Sequence, residues 1–543
     1  MSAEVDGRKN LLVKGLAGRA WVAAGLVAGC ALAGGAPLFA LPHGAVASAP
    51  GISVVAEGRS ERWIVDLGGV LVAALSPESA TGGDGLWLLV RPPRKPDGPR
   101  RLLRLRLEPE PRLELVGEGL DGGFDALAAV DLGGENGLEL VAGGLDRIVA
   151  LGPVAALGAG KGGAEGGPAA VLARPLLEAP GLDLRAFAPG RLHRGVESGF
   201  AAVEPGRMKV WRPAGTGPDG TMKDGESPGT LRLEREAALP LVVTRTATGL
   251  RLASPAVAAL ASEAGEIYLA GPEAVGSTRL RAMRIDGAAA ASAPEELWAA
   301  LPGPEKVNQS WPFELDGVPV LVVRTQASDE VNLFERQRLR VLTLSADRTR
   351  SGAPPTLAVE LDSKRWHETA IALGDVDGDG HDDLLAAFPE GLSGTDLVAQ
   401  WWHGEGGGRF DSRAHRSDLK KAPSGWALVA TPDLPGGTGL FLVGNGRMEL
   451  RAFSPAGKSA LAERPGLAVS IPALPVPVTP KADKKVTISV GGDGESSKVE
   501  NIDPEAEPLG AVELDGRPGA ELLAVQGSGN GNERLILLRS RPE

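Results

Sequence analysis

Short apolar runs alternate with turns that contain Gly, Pro and Asp along most of the chain. Residues 369–373 and 384–388, for example, are apolar runs of strand length on either side of a polar loop. Runs of this kind, rich in Val, Leu and Ala and bounded by turn residues, predict β-strands. Long amphipathic patterns with the helical period are nearly absent. The sequence therefore predicts an all-β chain.

The loop between those two runs carries evenly spaced carboxylates. The residues at its positions 1, 3, 5 and 9 are Asp375, Asp377, Asp379 and Asp383. Inward-facing carboxylates repel one another, and a hard cation such as Ca²⁺ relieves that repulsion, while Gly378 and Gly380 supply the positive φ angles of a tight loop. The alternative is a metal-free Asp/Gly hairpin turn. An EF-hand is excluded because Ala386 stands at position 12, where that motif has glutamate.

The sequence DVDGDGHDDL at residues 375–384 is similar to the FG-GAP or VCBS repeat, the blade unit of integrin-α-like β-propellers. Residues 398–410 extend the resemblance, because a further apolar run there leads into a Gly-rich turn that ends at Phe410. The resemblance implies a structural Ca²⁺ bound by the four aspartate side chains and by the main-chain carbonyl of His381.

Weaker copies of this loop recur about every 60 residues, which suits a four-stranded propeller blade. Gap-free copies lie at residues 131–140, 433–442 and 513–522, shortened ones at 66–72 and 314–320, and looser ones at 190–203 and 254–269. These copies predict a single β-propeller of seven, alternatively eight, four-stranded blades. The last copy leaves too little sequence for a whole blade, so we expect residues 52–56 to complete the final sheet.

The predicted domain organisation has two parts. Residues 1–50 form an export or lipoprotein signal or a membrane anchor, and residues 51–543 form the propeller. A Pro-rich and acidic segment at residues 473–508 interrupts the repeats. We interpret it as an extra hairpin or a mobile insertion between the last blades.

The N-terminal segment has basic residues followed by an uncharged apolar run at residues 20–42, which predicts export from a bacterial cytoplasm. Three fates remain open. Cys30 ends a VAGC sequence that resembles a lipobox, so it is a candidate for lipidation. Small residues at 45–49 suit ordinary signal cleavage, and the run is about long enough to act as an uncleaved anchor.

Composition and charge exclude several classes of function. The net charge of −12 and the absence of a basic cluster disfavour nucleic acid as a partner. Cys30 is the sole cysteine, so the chain has no intramolecular disulfide and no zinc site with several cysteine ligands. Hydrophobic residues make up 43% of the chain, which is enough to build a core.

No catalytic motif is evident, and we predict no catalytic residues. The six histidines form no HExxH pair, and no nucleophile elbow, P-loop or dinucleotide fingerprint appears. Charged residues near strand ends are interpreted as ordinary solvated charges: Asp146, Arg147, Glu390, Arg447 and Glu449. The adjacent Trp401 and Trp402 are expected to pack in the core.

These observations favour a non-enzymatic, extracytoplasmic binding or scaffold protein with a calcium-stabilised propeller. Its partner would be a protein or glycan at the bacterial envelope, in the periplasm, at the outer membrane or on the cell surface. A monomer is expected, with membrane contact only through the N-terminal anchor or a lipid. The alternatives are a carbohydrate-active enzyme, such as a polysaccharide lyase or hydrolase, and an outer-membrane assembly factor.

Overall fold

The computed structural model describes most of the chain between residues 52 and 540. The described residues are 52–57, 60–75, 85–107, 112–131, 138–153, 173–183, 188–191, 198–204, 207–213, 231–238, 243–246, 249–252, 259–261, 267–272, 278–285, 295–303, 305–327, 337–350, 353–361, 369–390, 396–423, 425–431, 434, 436–444, 446–457, 459–463, 465–470, 506–512, 514, 520–527 and 532–540. In this part of the chain the 3-10 turn Arg348–Arg350 is the sole helical element. The all-β prediction is confirmed.

The described residues form 34 strands. The first seventeen are β1 (Ile52–Glu57), β2 (Ser60–Asp66), β3 (Val70–Leu75), β4 (Leu86–Arg91), β5 (Arg100–Arg106), β6 (Arg112–Leu120), β7 (Phe124–Asp131), β8 (Leu138–Pro153), β9 (Arg174–Asp183), β10 (Ala188–Arg191), β11 (Ser198–Glu204), β12 (Arg207–Pro213), β13 (Leu231–Ala238), β14 (Val243–Thr246), β15 (Gly249–Leu252), β16 (Ala259–Ala261) and β17 (Ile267–Pro272). The remainder are β18 (Arg279–Ile285), β19 (Glu295–Ala300), β20 (Glu305–Leu315), β21 (Val318–Ala327), β22 (Gln337–Thr343), β23 (Leu357–Leu361), β24 (Ala370–Gly374), β25 (Asp383–Glu390), β26 (Asp396–Gly404), β27 (Phe410–Leu419), β28 (Gly425–Ala430), β29 (Thr438–Gly444), β30 (Arg447–Ala452), β31 (Leu467–Ser470), β32 (Ala506–Val512), β33 (Glu521–Gln526) and β34 (Arg534–Ser540).

Consecutive strands pair into antiparallel sheets whose spatial order follows the chain. The four-stranded sheets of this kind are β3–β6, β10–β13, β16–β19, β20–β23, β24–β27 and β28–β31. The described strands also form a three-stranded sheet, β7–β9, and a two-stranded ribbon, β14–β15. Short hairpin connections of this type place each strand beside its neighbour in sequence, as in a propeller blade.

The two ends of the described chain meet in one five-stranded sheet of order β1-β2-β34-β33-β32, called here the closure sheet. β2 pairs with β34 over its whole length, from Ser60 opposite Ser540 to Asp66 opposite Arg534. An N-terminal strand completes the last sheet as expected, but residues 52–56 are not the strand that pairs with β34. Residues 60–66 form that strand, and β1 adds a fifth strand on the outer side of β2.

The buried Glu533 stabilises the closure sheet through three hydrogen bonds. The amide of Glu533 donates to the carbonyl oxygen of Gly69 at 2.7 Å, and its carbonyl oxygen accepts from the amide of Leu67 at 3.1 Å. Its carboxylate accepts a further bond from the amide of Leu71 at 2.8 Å. The turn before β34 is thus bonded to the segment that joins β2 to β3.

First strands of neighbouring sheets contact one another around a ring: β3 with β7, β7 with β10, β10 with β16, β16 with β20, β24 with β28, and β28 with β32. A ring of antiparallel sheets joined through the chain ends is a β-propeller, and it leaves no sheet edge between the first and last blades. The number of blades, seven or eight, stays a prediction, because β7–β9 and β14–β15 border segments outside the described residues.

The repeats found in the sequence occupy equivalent places in this ring. Those at 131, 190, 254, 314, 375, 433 and 513 connect the first strand of a sheet to its second. The copy at 66 is an incorrect assignment, because it joins the closure sheet to β3. The shortened copy at 314 is a two-residue turn in which Asp316 and Gly317 both have positive φ, as a type I′ hairpin requires.

Adjacent tryptophans on β26 fill the spaces between three sheets. Trp402, 1% exposed, packs in the core cluster that contains Val322 of the β20–β23 sheet. Trp401, 2% exposed, lies in the cluster that contains Leu442 of the β28–β31 sheet and stacks on His415 with ring centroids 4.2 Å apart. Because neighbouring strand residues face opposite sides, one dipeptide joins both interfaces. The predicted core packing is confirmed.

Other predicted segments lie largely outside the described residues. Residues 1–50 do so completely, including Cys30 and the apolar run at 20–42. The 473–508 insertion falls between β31 and β32, and its last three residues begin β32. In the described portion of the chain, no helix is long and apolar enough to cross a membrane.

Candidate functional site

The residues from Asp375 to Asp383, called here the aspartate loop, connect β24 to the start of β25. Gly378 and Gly380 have φ angles of +79° and +90°. These angles lie in the left-handed region, where a side chain is strained. The chain can therefore reverse within a few residues and direct several side chains toward its own backbone.

Asp375 organises the first half of the loop. Its Oδ1 atom accepts bonds from the amides of Gly378 at 2.7 Å and Asp379 at 3.0 Å, and its Oδ2 atom accepts one from Gly380 at 3.0 Å. Asp379 in turn accepts a bond from the amide of His381 at 2.8 Å. The loop is thus held in shape by its own carboxylates.

Asp383 closes the loop from its far end and is fully buried. Its Oδ2 atom accepts from the amide of Val376 at 2.8 Å, and its Oδ1 atom accepts from the amide of Gly404 on β26 at 2.7 Å. Burial raises the pKa of this carboxyl to about 6, and the negative charge of Asp377 raises it further by a smaller amount. The hydrogen bonds from Gly404 and Val376 and the nearby His403 act in the opposite direction and lower it. A buried carboxylate in this position gains stability from a neighbouring cation.

The remaining carboxylates converge on the same region. One oxygen each of Asp375, Asp377 and Asp379 lies within 4.8 Å of the others. No Lys or Arg of the described residues forms an ion pair with these three or with Asp383. Each carboxylate oxygen has two lone pairs, so an oxygen that accepts one amide bond can still bind a cation. The residues present therefore fit a divalent cation with oxygen ligands.

Two further acids increase the negative charge beside the loop. Burial raises the pKa of the Asp382 carboxyl, and the charges of Asp316 and Asp375 raise it further. Asp316 belongs to the turn between β20 and β21, so it brings a carboxylate from the neighbouring sheet. The crowding of acids around one loop is the electrostatic condition under which a cation binds favourably.

His381 is the fifth predicted ligand, through its main-chain carbonyl, and that role stays a prediction. Its side chain extends toward the neighbouring sheet, where Nδ1 lies 3.5 Å from Oδ2 of Asp316. The same Asp316 oxygen accepts a bond from the amide of Gly407 at 2.8 Å. The aspartate loop therefore contacts the adjacent β20–β21 turn through a histidine and a glycine-rich turn.

His403 is a site residue that the sequence analysis did not identify. Its Nδ1 atom lies 3.0 Å from Oδ2 of Asp377 and 3.6 Å from Oδ1 of Asp383. Leu384 pairs with Trp402, and Asp383 and His403 are the next residues along the two strands, so the strand register brings this histidine to the loop. In the sequence, His403 is a histidine near the end of the predicted strand that follows β25. It can be recognised as a site residue only when the pairing register of β25 and β26 is known.

A degenerate copy preserves the closing carboxylate of the loop. Glu521 stands at position 9 of the 513–522 copy, is fully buried, and accepts a bond from the amide of Leu514 at 2.9 Å. Asp383 makes the corresponding bond to Val376. In the 131–140 copy, Glu139 at position 9 instead pairs with Arg174 at 2.9 Å. Glu135, Glu513 and Asp515 lie outside the described residues.

A cavity of about 390 Å³ lies between β27 and the β28–β31 sheet. Polar side chains line much of it, including Arg416 and Arg451, which are engaged in ion pairs with Glu390 and Glu449 respectively. The hydroxyl oxygens of Ser417 and Ser459 lie 2.8 Å apart at its wall. The cavity is therefore a polar groove whose arginines are neutralised by neighbouring carboxylates.

Comparison with known proteins gives structural similarity alone. No protein-family model matches this chain, and no curated protein matches its sequence. The WD40 domain of SCAP from fission yeast is similar over 86% of this chain and 95% of its own, with a TM-score of 0.40 and 10% identity. BBS1N, solved in complex with ARL6DN, is similar over 77% of this chain and 91% of its own, with a TM-score of 0.34 and 11% identity. Both TM-scores are below 0.5, so the propeller assignment rests on the sheet topology of this chain.

Proposed function

We propose that the chain is a non-enzymatic, extracytoplasmic binding or scaffold protein whose propeller is stabilised by a structural Ca²⁺ in the aspartate loop. The observation that carries the proposal is the convergence of Asp375, Asp377 and Asp379 beside the buried Asp383, with no Lys or Arg counter-ion among the residues that the structure describes. In a purely structural turn, such a group of acids destabilises the fold. With a bound cation, the same group holds β24 and β25 together.

Calcium fits this loop better than magnesium does. Ca²⁺ accepts six to eight oxygen ligands in flexible geometry, whereas Mg²⁺ requires a near-ideal octahedron and retains several waters. The loop offers four carboxylates and main-chain carbonyls, and its shape is set by backbone bonds to Asp375 and Asp383. Under this proposal the cation neutralises the acids and takes no part in a chemical reaction.

The charged residues near strand ends also support a binding role. Three ion pairs take up four of the five charged residues noted near strand ends, and a charge held in an ion pair is poorly placed for acid–base catalysis: Arg147 with Asp121, Glu390 with Arg416, and Arg447 with Glu449. The side chain of Asp146 lies outside the described residues. We propose that the partner bound is a protein or glycan at the bacterial envelope. The proposed protein is a monomer and reaches the membrane only through its N-terminal segment or a lipid.

Chelation and loop substitutions test the calcium. Thermal melting of the full-length chain is expected to shift down by about 3 °C in EDTA, because a ligand 100-fold above its Kd stabilises by about 2.7 kcal/mol and the unfolding entropy of a chain this long is about 1 kcal/mol/K. Asp377→Ala and Asp379→Ala in calcium should melt near the wild type in EDTA. Asp411→Ala, an exposed aspartate on β27, is the control and should keep the calcium response. Identical wild-type melting curves with and without EDTA would exclude the site.

Cell fractionation tests the location. The full-length chain, expressed in a bacterium, should be recovered outside the cytoplasm, whereas a chain without residues 1–50 should stay inside because it lacks the export segment. Cys30→Ser separates the three fates of that segment. Loss of membrane attachment in this variant indicates a lipoprotein, and unchanged attachment indicates an uncleaved anchor. Recovery of the wild type in the soluble periplasm indicates cleavage, and recovery in the cytoplasm contradicts export.

A further inference from the structure

The histidine beside the aspartate loop has a ring nitrogen without a hydrogen bond. Nδ1 of His403 is shielded from solvent and makes no hydrogen bond, although carboxylate oxygens of Asp377 and Asp383 lie at 3.0 and 3.6 Å. A shielded polar atom with no partner is destabilising, and native structures usually satisfy it. Two acceptor oxygens and a ring nitrogen facing one another suit a positive ion among them.

The spacing of the three atoms fits a single small metal ion. Ligands about 2.1 Å from an ion, with angles of about 90 to 110° between them, are separated by roughly 3.0 to 3.4 Å. The nitrogen–oxygen distances at His403 are close to that range, and all three ligand atoms lie within 4.8 Å of one another. Small side-chain rotations are thus enough to bring them onto one ion.

Two of these ligands are held in place by buried backbone bonds. Asp383 is fully buried and accepts bonds from the amides of Val376 and Gly404. Gly404 directly follows His403, so the bond from Gly404 to Asp383 also fixes the backbone that carries the imidazole. A group of ligands held by the backbone pays little conformational entropy when an ion binds.

We propose that Asp377, Asp383 and His403 form a second divalent-cation site, selective for Zn²⁺ and similar transition ions over Ca²⁺. The proposal rests on the proposed role of the aspartate loop as a metal site, and it adds a nitrogen ligand to that loop. Imidazole nitrogen suits zinc and other transition ions, whereas calcium takes oxygen ligands. Asp377 and Asp383 belong to both proposed ligand groups, so the two ions compete for them. Zn²⁺ and Ca²⁺ then bind the loop through different sets of ligand atoms.

Calorimetric titration of the full-length, metal-stripped chain with Zn²⁺ or Ca²⁺ tests this site. Wild type should bind Zn²⁺, and His403→Gln should weaken that binding about tenfold or more while changing calcium affinity less than about threefold. His415→Gln is the matched control, because His415 also has a solvent-shielded Nδ1 but stacks on Trp401 and belongs to neither ligand group. It should leave both affinities unchanged. Added Ca²⁺ should lower the apparent zinc affinity of wild type.

Each outcome separates this proposal from the calcium proposal. Calcium binding without His403-dependent zinc binding overturns the second site alone, and absence of both ions overturns both proposals. Equal zinc affinity in wild type and His403→Gln also overturns it, since a direct contact between His403 and Asp377 then explains the distances without a metal. Zinc-edge X-ray absorption of wild type needs no variant. Scattering from an imidazole ligand supports the site, and a zinc shell without imidazole overturns it.

Discussion

A chain that starts at residue 67 is expected to lose its cooperative unfolding transition, whereas a chain that starts at residue 52 keeps it. The shorter chain lacks β1 and β2, so β34 becomes an unpaired edge along its whole length. It also loses Trp63 and Val65, which are 5% and 0% exposed in the core of the closure sheet. An open ring with an apolar strand edge is a site of aggregation. This is the largest effect that the fold predicts.

Urea unfolding followed by circular dichroism, together with size-exclusion chromatography, measures this effect. Both chains lack the export segment, so the comparison isolates the closure strands. The longer chain should be monomeric with one sharp transition, and the shorter chain should aggregate or unfold over a broad range of urea. A monomeric shorter chain with unchanged stability would show that the ring does not depend on pairing between β2 and β34.

Replacement of Asp383 by Ala is expected to lower the free energy of unfolding by about 3–5 kcal/mol. The buried amides of Val376 and Gly404 lose their acceptor, and each unsatisfied buried group costs about 1–3 kcal/mol. The loss should appear in EDTA as well as in calcium, because these bonds are made within the protein. Asp383→Asn should lose less in EDTA, since its amide oxygen still accepts one of the two bonds. Urea unfolding in both buffers measures the difference.

The neighbouring Asp382 provides the control for this substitution. Partial burial of its carboxyl, together with repulsion from Asp316 and Asp375, raises its pKa above the ordinary value, so Asp382→Ala should be neutral or slightly stabilising. The pH dependence gives a second check in EDTA. The folded-state pKa of Asp383, about 6, lies above its unfolded value, so stability should rise as pH falls from 7 toward 5. Asp383→Asn should lack this rise, and a rise of equal size in the variant would assign it to another group.

The aspartate loop is predictable from sequence because all its acids lie in one short segment with fixed spacing. His403 is not, because its place beside Asp377 depends on the register of β26 against β25. A register is set by packing across whole strands, here by Trp402 and its partners on the β20–β23 sheet. Residue spacing in the sequence therefore identifies the carboxylates of the aspartate loop but not the imidazole nitrogen of His403.

The closure of the ring likewise depends on long-range strand pairing that local sequence does not reveal. Residues 52–56 and 60–66 both read as strands, and the short connection between them makes a hairpin inevitable. Which strand of that hairpin faces β34 depends on contacts with the opposite end of the chain, such as those of Glu533. The copy at 66 was misassigned for a related reason, since an Asp-Leu-Gly-Gly turn looks the same within a sheet and between two sheets.

The hydrogen bond that the Glu521 carboxylate accepts from the amide of Leu514 has a consequence for how the sequences of the blades diverge. It reproduces the bond from Asp383 to Val376, although the 513–522 copy has only three acids. In these two blades, the turn between the first two strands is therefore held by a hydrogen bond at its base, whichever residues stand at its tip. Mutations at the tip can accumulate one at a time while the blade still folds. If the proposed calcium site represents an ancestral feature of the blades, ion sites can then be lost gradually and the tips become free to acquire other binding partners.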